Sequence, residues 1–328
     1  DGTPLVGEGA DAYGLPAGFT CEATTKGSVT NVGSAVAEID TYAIKNADGK
    51  DVTDQFGNVS TGFVTLLVTK RPVTVVSEDA SKVYDGTPLT KPGVTVGCDG
   101  FVEGEVSGLK AIGTVTNVAD GEVDNEIVWD WAEGFGEGNY DITKTEGKLS
   151  IEPQSVDPDN PESYTGIKVA ELSDLLYKGK DQFQEPTVTD AKGNLLVKDR
   201  DYTLAFDGDA KNVTEAGVSV TVSGIGNYKG DFSRSYKILP REVTVKSASA
   251  SKAYDGTPLF SHDVVVTSAA GFVEDDVASM TAPNSITEVG SLTNEIAIEW
   301  SNDVAAGNYV VLKEEGVLEV TPKSVTAE

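Results

Sequence analysis

Lys82-Val83-Tyr84-Asp85-Gly86-Thr87-Pro88-Leu89 returns as Lys252-Ala253-Tyr254-Asp255-Gly256-Thr257-Pro258-Leu259, and Asp1-Gly2-Thr3-Pro4-Leu5 repeats its second half. The three aspartates are 84 and 170 residues apart, so the chain is built on a period near 85. A fixed period of that length identifies internal repeats and sets the architecture before any residue is given a role. Within the motif, Asp-Gly reads as a turn: glycine accepts positive φ and aspartate bonds the backbone two residues on. Threonine before proline is held extended. Tyr84 and Tyr254 are then expected to pack against the cores of their own repeats, rather than to face a ligand.

Outward from the motif, the second and fourth copies share one order of landmarks. Gly100-Phe101, Gly113-Thr114-Val115-Thr116-Asn117, Asn125-Glu126-Ile127 and Gly138-Asn139-Tyr140 match Gly271-Phe272, Gly290-Ser291-Leu292-Thr293-Asn294, Asn294-Glu295-Ile296 and Gly307-Asn308-Tyr309. The boundaries follow as 1–71, lacking its first strand, then 72–153, a divergent 154–240 and 241–322. Residues 323–328 start a further strand or linker. In the divergent segment Tyr177-Lys178-Gly179 replaces Tyr-Asp-Gly, while Gly226-Asn227-Tyr228 keeps the late motif.

Apolar residues recur at period two, as in Ile127, Trp129, Trp131 and Ile296, Ile298, Trp300, which places each set on one sheet face. Val169–Leu176 has a helix-like pattern but stands where the other segments have a first strand, and it reads as a strand with a bend. Short strands with glycine-rich turns at regular spacing predict an all-β chain of four antiparallel β-sandwich units. Strand order cannot be read from the sequence, so a β-grasp-like variant stays open for some of them.

Composition narrows the role. There are 25 basic and 53 acidic residues, a net charge of −28. That field repels phosphate backbones and anionic lipid surfaces and argues against nucleic-acid and membrane partners. No apolar run approaches the roughly 20 residues that span a bilayer. The chain opens within the motif and without a secretion signal, so it reads as an interior or processed piece of something larger. Cys21 and Cys98 sit at non-equivalent places in different repeats and are expected to be free and buried.

The motifs Tyr-Asp-Gly-Thr-Pro-Leu, Gly-x-x-Thr-Asn, Gly-Asn-Tyr and a final Gly-x-Leu-x-Val before Thr-Pro resemble the YDG and MBG repeat domains. These are immunoglobulin-like modules strung in tandem in bacterial surface proteins and adhesins, and the resemblance covers essentially the whole chain. It implies a secreted or cell-wall-attached protein in which the repeats form a stalk, and an elongated particle in solution. Surface domains of Gram-positive bacteria also join lysine to asparagine through an isopeptide bond catalysed by a buried carboxylate. Lys82 and Lys252, Glu126 and Glu295, and Asn139 and Asn308 are the candidates for it.

Other chemistry is sparse. Asp157, Asp159 and Glu162, and Asp207 with Asp209, are candidate calcium ligands, although neither spacing matches a defined calcium loop. No other cofactor is expected. Trp129, Trp131 and Trp300 read as core positions rather than a sugar platform. The one histidine, His262, lies in a Ser-His-Asp string, but a triad is assembled across space rather than from neighbours. The expectation is a non-catalytic spacer. Two alternatives remain: a host glycan or protein bound by one of the repeats, and head-to-tail self-association. In the second, Pro322-Lys323-Ser324-Val325-Thr326, which matches Pro240-Arg241-Glu242-Val243-Thr244, completes the first segment of another copy.

Overall fold

The computed structural model describes residues 1–160 and 166–326. The chain divides into two compact units, Asp1–Glu152 and Pro153–Glu328. Both are all-β, built from short strands with a few 3-10 turns.

In residues 72–152 of the first unit, alternation sets the layers. Arg71–Ser77 turns Val73 and Val75 inward, at 1% and 0% exposure. It lies between Tyr140–Thr145 and Val94–Cys98 in one sheet. Opposite stand Val106–Ala111 and Ile127–Trp131, paired antiparallel. Together they enclose Val73, Val75, Ile127 and Tyr140, as in a β-sandwich.

The pairing is mixed rather than wholly antiparallel. The first and last strands run parallel, Arg71 opposite Tyr140 through Val76 opposite Thr145. They continue as Ala80 opposite Leu149 through Val83 opposite Glu152. The offset is 69 residues in both stretches, so the two strands cross together from one sheet to the next. Residues 241–321 of the second unit repeat this with an offset of 68. Period-two alternation tells which face a side chain takes and carries no strand direction.

The crossing point is fully hydrogen-bonded around a serine and mostly so around an asparagine. Ser77 Oγ donates to Asn125 O at 2.6 Å and accepts from Gly147 N at 3.0 Å. Asn125 Nδ2 donates to Glu78 O and Lys91 O. Ser247, Asn294 and Gly316 reproduce the arrangement. A Cβ on Gly147 would stand 2.4 Å from Glu78 O, so only glycine lets the strands pass.

The remaining segments depart from this plan. Residues 1–71 keep the sheet Thr20–Lys26, Gly33–Lys45, Phe63–Val68. Among the described residues they have no counterpart of Arg71–Ser77, and only Ala37, Ile44 and Leu66 form their buried apolar set. In 154–240 the parallel pairs shrink to Gln154–Ser155 with Tyr228–Lys229 and Leu175–Leu176 with Ile238–Leu239. Val169–Leu176 holds no helix, and short strands lie at Lys168–Val169 and Leu175–Leu176 with residues 170–174 irregular between them. One core spans both segments of the second unit, joining Tyr177, Val218, Val220 and Tyr236 to Val243, Val245 and Tyr309. Cys21 and Cys98 are free, yet half-buried and exposed respectively, because Cys21 lies on the thinly covered sheet and Cys98 ends an edge strand.

Candidate functional site: the joint between successive repeats

The repeated motif is positioned by the parallel ladder. Tyr84 N donates to Glu152 O, Tyr177 N to Leu239 O and Tyr254 N to Thr321 O, so the three tyrosines are structural equivalents. Asp85 closes the turn by accepting from Thr87 N and Thr87 Oγ1, and Asp255 does the same with Thr257. Lys82 and Lys252 donate to these aspartates at 2.8 and 2.9 Å. The lysine, then the threonine, holds the Asp85 carboxyl well below the usual carboxylate range. Gly86 and Gly256 take φ of +77° and +79°, as a turn of this kind requires.

Beyond the turn, one repeat meets the next in both units, through the same asparagine bonds. In the second unit, Tyr177 Oη donates to Asp276 Oδ2 at 2.9 Å, and Tyr309 Oη donates to the same oxygen at 2.5 Å. The two rings meet edge to face at 5.5 Å. Tyr309 Oη also accepts from Val273 N. Beside it, Asn308 Oδ1 accepts from Val213 N at 2.8 Å and Asn308 Nδ2 donates to Asn212 Oδ1 at 2.9 Å. A Cβ on Gly179 would stand 2.5 Å from Val273 Cγ1, so the motif glycine admits the following repeat.

The first unit shares the asparagine, carboxylate and glycine parts of this contact, while a motif tyrosine on the carboxylate is described in the second unit alone. Asn139 Oδ1 accepts from Val32 N at 2.8 Å and Asn139 Nδ2 donates to Asn31 Oδ1 at 2.8 Å. Tyr140 Oη donates to Glu105 Oε2 at 2.6 Å and accepts from Val102 N. Gly2 faces Val102 as Gly179 faces Val273. Burial, reinforced by the carboxylates, raises all three phenols: Tyr140 and Tyr309 lie above their ordinary value and Tyr177 is pushed up to about 12. They are held protonated, as donors.

The residues singled out by sequence therefore redistribute. Tyr84 packs against Val115, Leu149 and Ile151 of its own repeat, as expected. Tyr177, its counterpart, packs instead against the next. The isopeptide sets are not brought together: Lys82 and Lys252 end on their own turns, and Glu126 and Glu295 are exposed where a buried carboxylate is needed. Asn139 and Asn308 are committed to the joint. Asp209 accepts from Lys211 N, Asn212 N and Asn212 Nδ2, so it fixes the turn that presents Asn212. Asp157 accepts from Asp159 N, Asp207 is exposed, and Glu162 lies outside the described residues. Among the described residues no group of three or more His, Cys, Asp or Glu is placed to hold a metal. Trp129 and Trp131 pack against Phe101 and Tyr140, and Trp300 meets Phe272 edge to face and stacks on Tyr309, so these rings line cores. His262 bonds Ala282 O and stacks on Phe260.

Glu105, Asp276, Asn31 and Asn212 are joint residues that the sequence motifs do not single out. Their signal is a shared spacing: Glu105 and Asp276 each stand five residues after the glycine of Gly-Phe-Val, and Asn precedes Val at 31 and 212. A second feature is a groove of about 800 Å3 over the open sheet of residues 1–71, floored by Cys21, Ala23, Ala37, Ile39 and Ile44 with Phe56 at its side. No protein-family model matches the chain, and no characterised protein matches it.

Proposed function

We propose that the chain is a non-catalytic spacer from a bacterial cell-surface adhesin, extracellular, projecting a binding or anchoring region. The observation that carries this reading is the parallel pairing of first and last strands. A pull entering at Arg71 and leaving at Glu152 slides two parallel strands past each other. The ladder bonds are then strained together, whereas a hairpin would open one pair at a time. The joints add a second means of passing tension on, since a hydrogen-bonded corner ties each repeat to its neighbour within a unit.

Force spectroscopy tests it. End-to-end stretching is expected to give separate resisting steps, each lengthening the chain by the extended length of a ladder-closed repeat, about 270 Å from roughly 3.3 Å per residue over residues 71–152, less the distance its folded ends already span. Extension without resisting steps would overturn the reading.

The groove favours a second reading, in which residues 1–71 accept an extended Val-bearing strand from Pro322–Thr326 of another copy. In residues 72–152 the open sheet's counterpart is covered by Val73 and Val75. Val325 is 86% exposed, and the described residues 322–326 belong to no strand. Sedimentation is then expected to show concentration-dependent association that Val325→Asp removes and that alkylation of Cys21 weakens. A monomer at all concentrations rules this reading out.

A further inference from the structure

The joint of the second unit defines a donor corner and an acceptor face, the first unit repeats its asparagine part, and one donor corner in the second unit has no acceptor among the described residues. The corner consists of the motif tyrosine, the motif glycine and an adjoining pair of residues whose amide and side-chain oxygen meet the asparagine of Gly-Asn-Tyr. Tyr177, Gly179 and Asn212-Val213 make it in one segment. In residues 241–322, Tyr254 and Gly256 match the first two. Leu259–Phe260 pairs with Ser285–Ile286 as Leu5–Val6 pairs with Ser28–Val29, which puts Glu288-Val289 where Asn31-Val32 stands. Glu288 supplies a side-chain oxygen where Asn31 does, and Val289 supplies the amide.

The state of this corner differs from the occupied one. Tyr177 is 2% exposed under the following repeat, while Tyr254 is 37% exposed and Val289 51%. A Cβ on Gly256 meets nothing within 4 Å, against 2.5 Å at Gly179. Among the described residues Val289 N has no backbone partner.

We propose that Tyr254, Gly256, Glu288 and Val289 form a docking site for one further repeat of the type of residues 72–152 or 241–322. The partner must present a carboxylate five residues after a Gly-Phe-Val glycine, a tyrosine bonded to it, and an asparagine just before that tyrosine. Tyr254 Oη donates to the carboxylate, the partner's valine sits over Gly256, and its asparagine bridges Glu288 and Val289 N. This deepens the spacer reading by naming what the last corner holds. Its test is independent of the force measurement, because it reads contact between repeats rather than resistance within one.

The experiment extends the chain after Pro322 with an in-phase second copy of residues 241–328 and follows Tyr254 by hydroxyl-radical footprinting, with Tyr177 as internal standard. Modification of Tyr254 is expected to fall about an order of magnitude, the ratio of the 37% and 2% exposures. Glu288→Lys in the extended chain is expected to restore much of it, by setting a cation against the asparagine's amide donors. A second extension carries a copy of residues 72–152 instead. If Tyr254 stays as reactive as in the natural chain in both extensions, the proposal is wrong, whatever the added copies do.

Discussion

Gly316→Ala is expected to cost the second unit about 3 kcal/mol, the upper range for forcing atoms into a filled site. The new methyl would stand 2.5 Å from Ala248 O and 2.7 Å from its carbonyl carbon, and backbone cannot rotate aside. Gly316 N also donates to Ser247 Oγ, which in turn holds Asn294 O, so moving the strand away breaks the crossing point. Hydrogen exchange read by mass spectrometry should show faster opening of the Gly316–Thr321 and Ala250–Ala253 pair. Gly307→Ala is the control: nothing lies within 4 Å of its Cβ position, and a change within about 0.5 kcal/mol is expected. Equal effects at the two glycines would show that the strand crossing is not tight.

Asp276→Ala is expected to cost about 2–4 kcal/mol, because two phenols in a packed interface lose their shared acceptor. Asp276→Asn keeps an acceptor oxygen and should cost less. The pH dependence has a definite sign. Tyr177 is raised in the folded chain to about 12, against an ordinary value of about 10. Its contribution is therefore complete below pH 10 and is lost as pH rises toward 12. Melting measured through that window should fall for the natural chain and fall less steeply for Tyr177→Phe. A tyrosinate absorbance titration in which every phenol ionises near pH 10 would refute the shared-carboxylate joint.

Much of the architecture was legible because it is local. Strict alternation marks Val73, Val75, Val243 and Val245 as inward, and all four are buried. The Asp-Gly-Thr-Pro turn closes as its residue types dictate. Direction was not legible, since Val-x-Val looks the same in a parallel or an antiparallel pair. Nor was the joint, because its partners lie 95 to 108 residues apart and neither half is unusual by itself. Asn139 and Asn308 stood out by repetition, but repetition alone gave them the wrong chemistry. Their covalent reading needed a lysine close by, and the lysines are held at the motif turns.

The strand crossing explains why glycine recurs at 147 and 316, and the joint explains something about inheritance. Each corner belongs to one repeat and each acceptor face to the next, so a substitution at Asn212 is answered at Asn308, outside its own repeat. Copying or deleting a joined pair of repeats, 1–71 with 72–152 or 154–240 with 241–321, keeps each corner facing its matching face. Exchanging a single repeat for a foreign one removes one side of its joint. The chain can thus change its number of repeats more easily than the identity of any one of them.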